Sequence, residues 1–239
     1  MCESTSFPAP RTRYHHGDLR QALKTLALAL ALITEHGADG LSLRQAAASL
    51  GVAPSAVYRH FADKSALLSA VADDGFVAMG ELWQMRAARL ELPADTDAGV
   101  RSLAYFAAGA DAYFQFGLEH PALFQLMFGP HGKASATRFM QAVDLPSNPH
   151  AMLSQSLDGL CAAKIITAKA RAHAEVTAFA AIHGLTCLTI SGVFSDLNEA
   201  QKWEQLELVK TNILGGLLAW QQTQDFKTAV EPGSRIGHR

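Results

Sequence analysis

The chain has 239 residues, of which 49% are hydrophobic, and it carries a formal net charge of −2. This composition is typical of a globular protein that is long enough to bury a sizeable core. No stretch reaches about 18 uninterrupted apolar residues and the first thirteen residues are polar, so we expect neither a membrane span nor a signal peptide. Cys2, Cys161 and Cys187 are scattered and odd in number, which favours reduced thiols in a cytoplasmic protein over a disulfide framework.

Apolar residues recur at helical spacing along most of the chain, and no alternating strand pattern is present. The spacing from Leu19 to Ile33 predicts an amphipathic first helix that ends at Gly37. A long helix is expected from Asp63, as its N-cap, to about Leu90. The later helices are predicted near 98–118, 121–128, 150–168, 171–192 and 198–222. The sequence therefore predicts an all-α protein with four parts: a disordered arm (1–13), a helix-turn-helix bundle (14–62), a helical regulatory and dimerisation domain (63–225) and a frayed tail (226–239).

Residues 42–64 have the pattern of two short helices joined by a glycine turn. Ser42 and Gln45 form a capping box, so the first helix should begin at Leu43, and Gly51 suits the left-handed position that ends it. The second helix should run from Pro54 to about His60. Such a helix-turn-helix places its second helix in the major groove of DNA. The residues expected to contact bases or phosphates are Ser42, Arg44, Pro54, Ser55, Ala56, Tyr58, Arg59, His60 and Lys64.

The charge is divided unevenly along the chain. Residues 11–64 carry a net charge of +3 and the remainder carries −5, so the helix-turn-helix region is the part that phosphate attracts. Arg11, Arg13, His15 and His16 either contact DNA from the arm or form a solvated tail; the residues alone leave both interpretations open.

The span from Tyr14 to Val71 resembles the DNA-binding domain of the tetracycline-repressor (TetR) family of bacterial regulators. The resemblance rests on YHHGDLRQAL, LSLRQAAASLGV and VYRHFADKSALL, with the family's aromatic–x–His-Phe–x–x–Lys signature at Tyr58, His60, Phe61 and Lys64. Ala53 departs from the Ser or Thr that relatives commonly place as the cap of the recognition helix. The segments 120–128 and 179–192 resemble the regulatory domain of a subgroup named for a Trp/His-Gly motif, with Phe179 in place of Trp before His183-Gly184.

The second half of the chain is rich in aromatic and sulfur-containing residues and poor in charge. Apolar cavities with a few polar groups are the usual form of small-molecule sites, although an aromatic stripe is more often plain core. We expect a ligand site from Trp83, Tyr105, Tyr113, Phe114, Phe124, Met127, Phe128, Phe179, His183 and Cys187.

His183 has three readings: a core histidine, a polar anchor in the cavity, or a metal ligand with Cys187 at i, i+4. No third ligand has matching spacing, so we expect no metal and no cofactor. An enzyme is the competing class, but Met127 stands where a phosphate loop requires its first glycine, and no dinucleotide fingerprint is present. A helical small-molecule-binding or enzymatic protein, or a helix-turn-helix that binds only protein, therefore remains the alternative.

The resemblance implies a homodimeric repressor that binds a palindromic DNA operator and is released by a small apolar or aromatic effector. In this family the last two helices pair across a twofold axis, which predicts a homodimer through residues about 171–222. From the stripe that includes Ile213 and Leu217, a charge at Leu217 is expected to produce monomers. The ligand is expected to tilt the long helix at 63–90 and so change the separation of the two DNA-binding heads.

Overall fold

The computed structural model describes residues 31–141 and 147–219, and these residues form helices and connecting turns with no strand. The predicted all-α class is therefore confirmed. The chain divides into two compact units, Met1–Val71 and Ala72–Arg239. Within the described residues, no helix is both long and apolar enough to cross a membrane. The arm at 1–13, the repeat from Leu19, and the predicted tail at 226–239 lie outside the described residues.

The first unit contains a helical segment at 31–40 (α1), α2 (Leu43–Ser49) and α3 (Pro54–Tyr58), and it includes the first turns of α4 (Lys64–Ala88). Helix α2 begins at Leu43 as predicted, because Ser42 caps it by accepting a hydrogen bond from the Gln45 N–H at 3.1 Å. Helical backbone continues to residue 40, although Gly37 takes the left-handed conformation at φ +74° that suits the predicted end of α1. Helix α3 ends at Tyr58, two residues before the predicted position.

A Schellman turn closes α2 and sets the start of α3. Gly51 has a φ of +65°, a conformation that glycine adopts without strain. The Val52 N–H bonds to the Ala47 carbonyl at 3.0 Å and the Gly51 N–H to the Ala48 carbonyl at 3.0 Å, which is the hydrogen-bond pattern of this motif. Val57 from α3 is then fully buried, so both helices share one small core.

Helices α4, α5 and α6 follow their predicted bounds closely. Helix α4 is capped by Asp63, whose carboxylate accepts from the Ala66 N–H at 2.8 Å. Helix α5 (Ala98–Glu119) is capped by Asp97, and α6 (Pro121–Phe128) begins at its proline. Local capping signals are thus sufficient to place these helices.

Helix α7 (Lys133–Gln141) was not predicted from the sequence. The segment is short and follows a glycine-proline break, so its intrinsic helical signal is weak. Tertiary contacts supply what the local signal lacks: Phe139 is 4% exposed and stacks on Phe76 of α4 with ring centroids 4.8 Å apart. Arg138 also forms an ion pair with Asp73 of α4.

Helix α8 (Pro149–Ala162) ends six residues before the predicted position, and α9 (Ala168–Ile190) begins three residues before it. The cause is a second Schellman turn, in which Lys164 takes the left-handed conformation at φ +60°. The Ile165 N–H bonds to the Leu160 carbonyl at 3.0 Å. Thr167 then caps α9 by accepting from the Ala170 N–H at 3.2 Å.

Helix α10 (Glu199–Ala219) buries in its own chain the face predicted to contact a partner. Leu206, Ile213 and Leu217 are buried in the core of their own chain, where Leu217 is only 2% exposed. The expectation that Leu217 lies in a dimer interface is therefore wrong. The apolar residue on the outer side of this turn is Leu218, which is 58% exposed.

The core of the second unit is built around α5, which packs against α8, α9 and α10. Its charged component is a buried ion pair in which Lys210 of α10 places its Nζ 2.8 Å from Asp111 of α5. Lys210 is 6% exposed and also bonds to Glu207 at 2.6 Å. Two carboxylates therefore pair with one buried ammonium group, and Asp111 also lies 3.6 Å from the guanidinium group of Arg86.

Candidate functional site

The exposed surface of the helix-turn-helix carries two unpaired arginines. Arg44 on α2 and Arg59 at the end of α3 are exposed, and neither side chain has a hydrogen bond or ion pair within the described part of the chain. Tyr58 is 47% exposed beside them, and Pro54, Ser55 and the half-buried Ala56 form the front of α3. Small residues at the front of such a helix allow close approach to a groove, and free guanidinium groups suit guanine edges and phosphates.

Of the predicted DNA-contacting residues, two side chains already form hydrogen bonds within the protein and a third has a buried ring nitrogen. The Ser42 hydroxyl caps α2, and Lys64 donates from Nζ to the Asp39 carbonyl at 2.7 Å. The Nε2 atom of His60 is buried and has no hydrogen-bond partner among the described residues. Ala53 makes no side-chain cap to α3, as the departure from the family pattern at this position predicts.

The second unit contains an apolar cavity of about 180 Å³. Helices α4, α5, α6, α7, α8 and α9 all contribute to its wall. An engineered apolar cavity of about 150 Å³ binds benzene, so this cavity has the size of a one-ring aromatic molecule.

Four of the ten residues predicted as ligand contacts line the cavity: Trp83, Tyr113, Phe128 and Phe179. Two others face elsewhere. Tyr105 packs its ring on Trp83 from outside the lining, with centroids 5.3 Å apart. Phe114 is fully buried against Trp203 of α10, also at 5.3 Å.

Three of the remaining four predicted residues form a layer behind the wall. Phe124 stacks on His183 with centroids 5.5 Å apart, and His183 contacts Phe128 and Phe179 from the side away from the lining. The members of this layer are Phe124, His183 and Cys187, and they support the lining side chains rather than forming the cavity surface. The fourth, Met127, is fully buried against Gly75 of α4 and is also outside the lining.

Most of the lining was missed by sequence reasoning, although helical spacing gives a usable signal. Once Trp83 is chosen, Phe76 and Met79 follow on the same face of α4 at i−7 and i−4. The same spacing on α5 leads from Tyr113 to Ala110, Gly109 and Phe106 at i−3, i−4 and i−7. The lining residues not predicted are Phe76, Met79, Phe106, Gly109, Ala110, Ala136, Phe139, Met140, Asn148, Pro149, His150, Leu153 and Ile182.

The Trp83 indole lies directly on the backbone of α5 at Gly109. A Cβ atom at residue 109 would stand 2.3 Å from two carbons of the indole ring, far inside the carbon–carbon contact distance. The indole N–H donates to the Tyr105 carbonyl at 3.0 Å and fixes the ring in this position. Gly109 therefore allows one aromatic wall of the cavity to lie flat against a helix.

A partly buried chain of hydrogen bonds connects the cavity wall to the layer behind it. The Tyr113 hydroxyl lies 2.7 Å from Nδ1 of His183, and Nε2 of His183 lies 3.3 Å from the Cys187 sulfur. Burial, and then the nearby Cys187, raises the pKa of the Tyr113 phenol well above its usual value. Burial also lowers the pKa of His183 and raises that of the Cys187 thiol. The chain is therefore neutral, and either tautomer of His183 completes it.

The described residues contain no group of three or more His, Cys, Asp or Glu side chains that could hold a metal ion. Cys161 and Cys187 are free thiols, whereas Cys2 lies outside the described residues. The geometry around His183 is thus that of a hydrogen-bonded histidine in an aromatic layer.

Comparison with known proteins places these features in a family. Residues 26–71 match the profile of bacterial regulatory proteins of the tetR family, and residues 106–208 match the tetracyclin repressor-like C-terminal domain. Together the two matches span more than half of the chain. No curated protein shows significant similarity to it.

Three solved structures illustrate the fold. A protein of unknown function from Rhodococcus sp. RHA1 is 28% identical, with a TM-score of 0.61 over 87% of this chain and 100% of that one. BioQ of Mycobacterium smegmatis is 24% identical, with a TM-score of 0.54 over 86% of this chain and 99% of that one. RolR in complex with its ligand resorcinol is 16% identical, with a TM-score of 0.58 over 92% and 98%.

The two matched domains occur in the order that the residues predict, with the helix-turn-helix first and the cavity-containing helical unit second. This chain belongs to the TetR family of transcriptional regulators.

Proposed function

We propose that the protein is a homodimeric repressor that binds a palindromic operator through α3 and leaves it when a small aromatic effector fills the cavity. The observation that carries the DNA-binding part is the pair of exposed, unpaired guanidinium groups of Arg44 and Arg59 on the helix-turn-helix. A guanidinium group that makes no bond to the described residues of its own chain is available for a guanine or a phosphate.

The effector part is supported by the cavity. Its wall is almost entirely apolar, its volume is about 180 Å³, and its lining includes seven aromatic side chains besides that of His150. RolR, which shares the fold, binds the one-ring compound resorcinol. Because Phe76, Met79 and Trp83 on α4 line the cavity, and the same helix begins in the DNA-binding unit, a ligand that repacks α4 is suited to change operator affinity.

The dimer is supported by apolar side chains that the single chain leaves exposed on its last two helices. Val176 is 74% exposed on α9, and Leu208 and Leu218 are 51% and 58% exposed on α10. Gly215 and Gly216 have open space beside them, which allows a partner backbone to approach closely. These residues replace Leu217 as the proposed contacts within the range 171–222.

Selection of bound duplexes from a random DNA pool at two salt concentrations tests this proposal. We expect enrichment of a palindrome whose half-sites lie about one helical turn apart, with an affinity that falls steeply as salt rises. Absence of any enriched sequence at low salt would contradict the DNA-binding function.

A further inference from the structure

His150 differs from every other polar residue of the cavity wall. It lies in the first turn of α8 and lines the cavity, yet its Nδ1 atom is enclosed and has no hydrogen-bond partner among the described residues. Its main-chain N–H is satisfied, because it donates to the Asn148 side chain at 2.9 Å. A buried polar atom without a partner is unfavourable, so a ligand that supplies the partner gains affinity here.

The other polar groups of the wall are already paired. The Trp83 N–H donates to the Tyr105 carbonyl and the Tyr113 hydroxyl pairs with His183. Asn148 donates to the Phe139 carbonyl at 2.8 Å, and its side-chain oxygen accepts from the first turn of α8. Among the described residues, Nδ1 of His150 is therefore the one enclosed side-chain nitrogen or oxygen of the wall that has no hydrogen-bond partner.

The carboxylate of Glu175 does not pair with Nδ1 of His150. Burial opposes ionisation of Glu175, but hydrogen bonds from Ser154 and Arg171, together with the charge of Arg171, lower its pKa. Its oxygen atom lies 3.0 Å from the Arg171 guanidinium. Glu175 is thus a paired, ionised group, and Nδ1 of His150 has no partner in the part of the chain that the structure describes.

We propose that the effector is a neutral one-ring aromatic molecule carrying a hydroxyl group, and that this hydroxyl pairs with Nδ1 of His150. The lining residues include no Asp, Glu, Lys or Arg, so a charged ligand would lose its hydration without gaining an ionised partner. A half-turn of the imidazole about Cβ–Cγ exchanges Nδ1 with Cδ2 in the same ring plane, which gives the nitrogen a second position without moving α8. This inference rests on the effector role proposed for the cavity.

The test compares phenol with toluene, which has nearly the same shape and lacks the hydroxyl. Their dissociation constants are measured by calorimetry on the full chain and on the variants His150→Phe and His150→Gln. We expect His150→Phe to weaken phenol binding by about tenfold or more and to leave toluene binding unchanged within a factor of about three. His150→Gln, which keeps a hydrogen-bonding group, should retain phenol. Ala136→Trp, which fills the cavity, should lose both ligands.

A second measurement uses the unaltered protein, so that it does not depend on the folding of a variant. Phenol should shift the ring-nitrogen NMR resonances of His150 by more than toluene does. Equal shifts, a wild type that binds toluene but not phenol, or an equal loss of both ligands in His150→Phe would each overturn the proposal. If neither ligand binds while the selected operator still does, both this inference and the effector role fail, whereas the DNA-binding function stands.

Discussion

Gly109→Ala is expected to close part of the cavity by moving one side chain. The added Cβ would lie 2.3 Å from the Trp83 indole, whereas carbon atoms in contact are separated by about 3.5–4.0 Å. The indole must therefore retreat by more than about 1 Å. Because the indole lies between α5 and the cavity, it can move away from α5 only into the space that the ligand would occupy.

The magnitude follows from the cost of overpacking. Forcing an extra methyl group into a well-packed site costs about 1–3 kcal/mol, and every 1.4 kcal/mol corresponds to a tenfold change in affinity. We expect the Kd of a one-ring aromatic ligand to rise by about tenfold to a hundredfold in Gly109→Ala. Calorimetric titration measures this directly, and thermal unfolding reports the accompanying loss of stability.

Two further variants make the result specific. Gly184→Ala on α9 adds a methyl group where no atom lies within 4 Å, so it should leave ligand affinity unchanged and raise the free energy of unfolding by about 0.5–1 kcal/mol. Adding Trp83→Phe to Gly109→Ala should restore part of the affinity, because the smaller ring leaves room for the new methyl group. An unchanged Kd in Gly109→Ala, or an equal rise in Gly184→Ala, would refute the packing argument.

Three other predictions address the core, the interface and pH. Leu217→Ala should lower the free energy of unfolding by about 2–5 kcal/mol in denaturant titrations, because Leu217 is buried in its own chain; a well-folded monomer would instead restore it to the interface. Leu218→Glu should leave the fold intact and shift sedimentation from dimer to monomer, and an unaltered dimer would count against the proposed contact face. Burial lowers the pKa of His183 below 6.5, so the unfolded chain takes up a proton that the folded chain rejects. Stability should therefore be full above pH 6.5 and fall, by at most about 1.4 kcal/mol per pH unit, as the pH drops through the lowered folded pKa; His183→Gln should remove this part of the pH dependence, and an identical pH profile in that variant would contradict the assignment.

The predictable parts of this fold are those that local signals specify. Ser42, Asp63, Asp97 and Pro121 begin helices by capping or by a fixed φ, and each can be identified in the sequence without knowledge of the tertiary fold. The missed end of α8 has no such signal, because a lysine rather than a glycine occupies the left-handed position at residue 164. Tertiary packing decides that conformation, and the sequence around it contains no turn residue.

Register was harder to predict than helix content. Helix α10 has apolar residues on both sides, with Leu217 inside and Leu218 outside, so periodicity alone does not distinguish core from partner contact. The cavity poses the same difficulty, since aromatic composition correctly points to this unit but not to which aromatic residues face one another. Phe128 lines the cavity and Phe124, one turn earlier, lies behind it.

The most direct test of the central claim is the operator affinity of Arg59→Ala, measured by fluorescence anisotropy on a selected duplex. Each bidentate arginine–guanine contact contributes about 1–3 kcal/mol, and a dimer makes two, so we expect a loss of at least about thirtyfold with the protein still folded. Arg89→Ala, which removes an exposed arginine from the end of α4, should change the affinity less than about twofold. An unchanged affinity in Arg59→Ala, or an equal loss in Arg89→Ala, would contradict the assignment of α3 as the helix that reads DNA.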